Sequence, residues 1–371
     1  MAIDRRAFVA GTAAMLALPR PLHAADGKAF HSGSAEFISA CKRGDGHYAL
    51  AFVTADGKIL REIPLDGRGH DVALSPDGTR GVAFARRPGR FAIAFDLKNE
   101  TPPVAFDSPE DRHFYGHGVF SRDGRLLYVT ENDFDAGRGV LGIYDVGANY
   151  RRIGEFDAHG VGPHEVILLE DGVTLAVANG GIDTHPASGR EKLNLSTMQP
   201  SLVFINSRTG DLVTRQEIDP ALHKLSIRHI CADARGRVWF GGQWEDAIET
   251  APELVGYTSR DKPIRFVSSA QHMGPALKGY IGSVSATNGG EIVSVSAPRA
   301  GRILHFDANR AELMGEVLLK DACGIAEASD KTVAISSGEG ILEVAAPGKE
   351  PQSRISFNDI AFDNHMRRLR V

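Results

Sequence analysis

Apolar and polar residues alternate along this chain in short runs. Asp71 to Ser75, Arg80 to Ala85, Arg90 to Asp96 and Pro103 to Phe106 each carry the two-residue period of a strand, with Pro, Asp and Gly at the turns between them. The next stretch repeats the arrangement, with strands predicted over Leu126 to Thr130, Val140 to Val146 and Arg151 to Phe156. No segment holds the 3.6-residue period of a long amphipathic helix. The pattern predicts an all-β protein.

One short motif recurs through these strands: a His, any residue, an apolar residue, then a polar or Gly turn. It begins at His70, His117, His164, His229 and His365, and copies lacking the histidine begin at Gly282 and Cys323. The spacings are 47, 47, 65, 53, 41 and 42 residues. A period near 40–50 residues with four short strands per period is the mark of a β-propeller. Seven copies predict seven blades. The last copy is a single strand with nothing after it, whereas the chain's first strands, Glu36 to Cys41, Tyr48 to Thr54 and Ile59 to Leu65, lack an opening partner. One plus three completes a seventh blade and leaves no sheet edge open. The 65-residue period carries a Gly-rich insertion from Asn179 to Pro200, which reads equally as a surface loop and as a flap over the channel mouth.

The first strand of a propeller blade lines the central channel. Equivalent positions on that strand form a ring, so five imidazoles are expected on an arc of five consecutive blades, with Cys323 beside His365 and a gap at Gly282. Neutral imidazoles ligate Fe, Cu, Zn and Ni, and a thiolate can join them. His70, His117, His164, His229, His365 and Cys323 are therefore the candidate metal ligands. Asp71, Glu165 and Asn364 adjoin ring histidines and are candidates for fixing their tautomers. Arg228, Gln243 and His185 are further candidates. The competing structural reading is a turn-binding His of the kind paired with Gly in propellers of the WD type. Gly69-His70 and Gly116-His117 suit it, but no Trp-Asp dipeptide accompanies them. A single histidine would favour that reading; five in one register favour a shared site. Glu131-Asn132-Asp133 is expected to be a capped turn, Cys231 to pack in the core, and His31, His47, His113, His159, His223, His272 and His305 to lie mostly on the surface.

Composition narrows the setting. The net charge is −5 and no basic stripe occurs, which excludes a general nucleic-acid binder. Three cysteines, Cys41, Cys231 and Cys323, exclude a disulfide-built scaffold. At the N-terminus Asp4-Arg5-Arg6-Ala7-Phe8 begins a twin-arginine pattern, followed by an Ala-rich run and small residues at Ala24 and Ala25. Residues 1–24 are expected to be an export signal and residues 25–371 a single propeller domain in the periplasm, with no stable membrane insertion.

The segments YGHGVFSRDGRLLYVTENDFDAGRGVLGIYD, GVGPHEVILLEDGVTLAVANGGIDTHPASGREKLNL, SIRHICADARGRVWFGGQWED and FDNHMRR resemble the bacterial domain-of-unknown-function family 1513. The resemblance implies a twin-arginine-exported seven-bladed propeller, often encoded beside imelysin-like and di-haem peroxidase-like proteins in iron-linked gene clusters. It favours iron or copper as the metal and periplasmic iron-uptake proteins as partners, and it brings no assigned activity. Pro163-His164, Arg228-His229 and Leu127 to Asn132 also resemble propeller lactonases of the phosphogluconolactonase type, which implies a hydrolase using His164, Arg228 and His229 as the alternative. A platform for protein interaction, with no chemistry of its own, is the third expectation.

Overall fold

In the computed structural model, residues 20–21, 35–189, 191–267, 273–329 and 331–369 are described. Seven antiparallel sheets follow one another around a ring. The inner strands are Gly69–Leu74, Arg112–Phe120, Pro163–Leu168, Leu225–Ala232, Ser283–Thr287, Ala322–Ser329 and Ile360–Arg368, here taken as blades 1 to 7. Each inner strand packs against the next, and blade 7 returns to blade 1. Ile360–Arg368 pairs with Phe37–Arg43, which continues to Tyr48–Val53 and Ile59–Leu65, so the C-terminal strand closes the ring with the N-terminal three. The expected seven-bladed fold and its closure are both present. The closing strand begins earlier than the motif at His365 suggested. Most of the expected export signal lies outside the described residues; Arg20–Pro21 pair with Val104–Ala105 at the outer edge of blade 1.

Apolar residues on both faces of each sheet form clusters between blades. Ile38, Leu50, Val72 and Ile93 join blades 7 and 1, and Val82, Phe84, Phe114 and Val129 join blades 1 and 2. Leu141, Val166, Val177 and Val203 join blades 2 and 3, while one larger cluster around Trp239 and Phe240 spans blades 3, 4 and 5. This burial holds the ring together, since each blade's apolar face finds its partner only on the next blade.

The Asp-Gly turns set the register of the inner strands. In blade 1 the Asp77 carboxylate accepts hydrogen bonds from the Ser75 hydroxyl and Thr79 N–H, and Gly78 takes φ +66°. Ser121, Asp123 and Gly124 repeat the turn in blade 2. A side-chain-to-backbone bond plus a glycine in the left-handed region makes one defined turn, so the strand before it is held in one phase.

That phase is broken once on most inner strands. The ladder shifts between Gly69 and Val72, Phe114 and Gly118, Pro163 and Glu165, Ile227 and His229, and Phe362 and Met366. Each shift falls at the ring histidine or, on blade 4, at Arg228 directly before it. Such a bulge re-aims a side chain, here out of the sheet and toward the axis. Blade 5, which has no ring histidine, keeps an unbroken ladder from Ser283 to Thr287.

Candidate metal centre

The five ring histidines meet on the channel axis. Ring centroids are 4.8 Å apart for His70–His117, 5.1 Å for His117–His164, 4.6 Å for His164–His229 and 4.7 Å for both His229–His365 and His365–His70. His70, His117, His229 and His365 are buried and His164 is half-buried. Two triads, His70–His117–His365 and His117–His164–His229, each bring one nitrogen per residue within 4.8 Å of the others, and they share His117. Close packing demands small neighbours. Gly116 adopts φ +105°, and a Cβ there would lie 2.6 Å from His70 Cδ2, so the backbone before His117 passes directly over the His70 ring.

Acceptors hold the outer edges of these rings. His70 Nδ1 lies 3.3 Å from Asp363 Oδ1, His117 Nδ1 2.9 Å from Asp71 Oδ2, and His229 Nδ1 3.3 Å from Glu165 Oε2. An ionised carboxylate only accepts, so in the neutral ring each of these Nδ1 atoms carries the proton and Nε2 keeps a free lone pair. Ser283 Oγ stands 3.5 Å from His365 Nδ1. Nε2 of His117, Nε2 of His365 and Nδ1 of His164 are buried without a hydrogen-bond partner. Buried polar atoms are nearly always paired, so three orphans in one cluster indicate atoms reserved for another partner.

Burial favours the uncharged form of His70, His164, His229 and His365. Desolvation, followed by neighbouring imidazoles and an arginine, holds His70 and His164 well below the usual histidine range, and for His365 desolvation with its neighbouring imidazoles outweighs the opposing Asp71. For His229 desolvation outweighs its Glu165 bond and brings it down to about 4. Beneath the rings Arg367 binds both acids: Nε donates to Asp71 Oδ1 at 2.9 Å, and Nη2 reaches Asp71 Oδ2 and, at 3.4 Å, Glu165 Oε1. Burial raises the proton affinity of Asp71 and Glu165, but Arg367 and the histidines around them outweigh it, and both stay ionised. On this side of the rings the channel opens into a cavity of about 290 Å³ lined by Val72 to Leu74, Val166 and Ile167, and Met366 to Arg368.

The structure thus brings together His70, His117, His164, His229, His365 and Glu165, and separates other candidates from them. Cys323 shares the register, but its Sγ donates to the Asp321 carbonyl at 3.0 Å and belongs to neither imidazole triad. Burial and Asp321 push its thiol up, away from the thiolate a metal requires. The gap at Gly282 has a steric cause, because a Cβ there would lie 2.7 Å from Pro298. His185 caps a short 3-10 helix at Pro186–Ser188 and meets Asp135, away from the axis. Asn364 donates to the Tyr280 hydroxyl rather than orienting His365. Gln243 is buried and its backbone bridges to Tyr280. Arg228 stands beside His164, with Nη2 3.5 Å from Oε1 of Glu245, which follows the second strand of blade 4.

Asp71 and Glu165 fix tautomers across blades, not on their neighbours in sequence: Asp71 serves His117, and Glu165 serves His229. Asp363 and Arg367 were not foreseen, although both flank His365 by two residues, the spacing that returns a side chain to the same face of a strand. Three further expectations are corrected. Glu131 to Asp133 end the strand Leu126–Asp133 and are buried. His113 and His305 are buried too, the first against Asn132 and the Phe114 carbonyl, the second against Ser294. Cys231 packs against the large cluster of blades 3 to 5, as expected. His31 and His272 lie outside the described residues.

The chain belongs to the family described as "Protein of unknown function (DUF1513)", whose model matches residues 63–369. No curated protein matches its sequence significantly. Its fold is similar to a solved chain of Kuenenia stuttgartiensis hydrazine synthase, with a TM-score of 0.63 and 14% identity over 83% of this chain and 91% of that one. At that identity the likeness concerns the fold alone. No helix among the described residues is long and apolar enough to cross a membrane.

Proposed function

We propose that this DUF1513 propeller binds a transition-metal ion on its axis, using Nε2 atoms of the ring histidines, and that it serves metal handling in the periplasm. The observation that carries this reading is the division of labour within the rings. Acceptors occupy Nδ1 of His70, His117 and His229, while Nε2 of His117 and His365 is buried with no partner. A metal-binding histidine commonly donates its other nitrogen to a carboxylate, which fixes the ring and raises its basicity. His117 belongs to both triads and is the central ligand.

The donor set is nitrogen-rich with carboxylates behind it, and the Cys323 thiol stands outside it. Such a set suits iron, copper, zinc or nickel. Iron or copper is our choice among these, on the iron-linked setting that the family resemblance implies, with export by the twin-arginine route and iron-uptake proteins as partners. The lactonase alternative is less well supported: a general base works best with a pKa near the operating pH, and His229 at about 4 is far below it. Metal titration of the purified chain by calorimetry tests the reading. One tight site per chain, lost in His117→Ala, is expected; equal binding by both proteins overturns it.

A further inference from the structure

The two sides of the imidazole layer are charged differently: on the cavity side the acids Asp71 and Glu165 share one guanidinium, that of Arg367. Asp71 and Glu165 directly follow ring histidines, and the residues after them, Val72 and Val166 among them, line the channel cavity. Residues that precede them face the other mouth, where cations outnumber acids. Arg68 and Arg86 both bind one buried carboxylate, Asp363, which already accepts from His70. On the opposite side of the ring, Arg228 and Lys192 both bind the carboxylate of Glu245, whose side chain is 3% exposed. Lys192 comes from the long insertion, which is tied to neighbouring blades by bonds from Asn132 and Arg87 to Thr184 and to itself by one from Asn194 to Gly181. Two positive poles therefore flank the axis, one beside His70 and one beside His164, whose ring centroids are 5.8 Å apart.

The second pole also has unused hydrogen-bonding capacity. Arg228 Nε and Ser226 Oγ are buried and unpartnered, and Ser226 is wholly inaccessible. A guanidinium is a rigid fork matched to a carboxylate, and two separated forks select a ligand with two separated carboxylates.

We propose that this mouth is a receptor for a small polycarboxylate, one carboxylate engaging Arg68 and Arg86 and another engaging Arg228. The ligand's centre then lies over the imidazoles. Its role as the carrier that presents a metal to them rests on the reading of the rings as a metal site; the anion site itself does not. A monoanion such as acetate or inorganic phosphate reaches one pole only, and its affinity falls accordingly.

Calorimetric titration of the metal-free full chain at pH 7.5 and low salt, with citrate, succinate, acetate and inorganic phosphate as probes, tests this. Citrate and succinate are expected to bind at least ten-fold tighter than acetate or phosphate. Arg228→Gln and Arg86→Gln should each weaken citrate at least ten-fold, with Arg228→Lys recovering part of the loss, and circular dichroism confirming that the variants are folded. Acetate binding as tightly as citrate, no binding of any probe, or citrate binding indifferent to both glutamine variants overturns the proposal. Because metal is absent throughout, a chain that binds citrate but no metal would sink the metal reading and leave the polycarboxylate site standing.

Discussion

Blade 2 holds a buried network of Glu131, Asp133, Glu155, Arg112, Arg138, Arg152 and Tyr144; the channel axis holds five imidazoles, Asp71, Glu165, Asp363 and Arg367. In the blade 2 network Glu131, Asp133 and Glu155 each accept from a guanidinium. Arg152 binds Glu131 and Glu155 at 2.9 and 2.6 Å, Arg138 binds Asp133 at 2.8 Å, and Arg112 binds Glu155 at 2.9 Å. Tyr144 closes the set on Glu131 at 2.6 Å. The axial network pairs its acids and leaves imidazole nitrogens open. Both networks are polar and sequestered, so burial alone does not separate a structural cluster from a binding one. Unspent acceptors do: the orphan within the blade 2 network is a donor, Arg112 Nε, which stands 3.8 Å from a Glu131 oxygen, whereas the axis keeps ring nitrogens open for a ligand.

The comparison yields opposite phenotypes. Glu131→Ala removes one of the two carboxylate partners of Arg152 and the acceptor of the Tyr144 hydroxyl, and should cost about 3–5 kcal/mol in urea unfolding while leaving metal affinity unchanged. His117→Ala removes the ligand shared by both triads and should weaken metal binding at least 100-fold, with a native circular dichroism spectrum. Asp71→Asn leaves all five rings in place but removes the charge behind His117; a loss of about 10–100-fold in metal affinity is expected. If Glu131→Ala abolished metal binding while Asp71→Asn did not, the division between the networks would fail.

Protonation offers a finer probe away from the ring. Desolvation depresses His305 to about 4, against an ordinary histidine value near 6.5. Between those values the unfolded chain binds a proton that the folded chain refuses, so stability is intact above pH 6.5 and falls as pH drops toward 4. The slope is about 1.4 kcal/mol per pH unit for one such group. Replacing His305 with Gln should remove about that much from the acid-side slope of unfolding free energy; an unchanged slope would show that His305 does not titrate in this window. Smallest of all is Cys323→Ser, expected to shift metal affinity less than two-fold, because its sulfur is committed to the Asp321 carbonyl.

The ring and its closure were legible because a propeller repeats its turns. Asp-Gly at Asp77, Asp123 and Asp171 marks where each first strand ends, and the histidine stands at a nearly constant distance before it. Equal register on seven inner strands then implies convergence at the axis. Register does not report the direction of a side chain at a bulge, which is why Cys323 shares the position but turns to its own backbone. Nor does it reveal contacts across blades. Asp71 serves a histidine 46 residues away, and Asp363 one 293 residues away. Arg367 lies 296 residues from Asp71 and 202 from Glu165, and only the closing strand carries it between these two acids. Glu131 to Asp133 suggested a turn because Asn and Asp favour turns; arginines from neighbouring strands of the same blade made a buried strand affordable there.

The most direct test of the metal site is elemental analysis of the exported protein, purified without chelator, beside His117→Ala and Glu131→Gln prepared identically. The account predicts close to one transition-metal ion per chain in the wild type and in Glu131→Gln, and close to none in His117→Ala. Equal metal content in the wild type and His117→Ala, or none in the wild type even after loading with iron or copper, would contradict it.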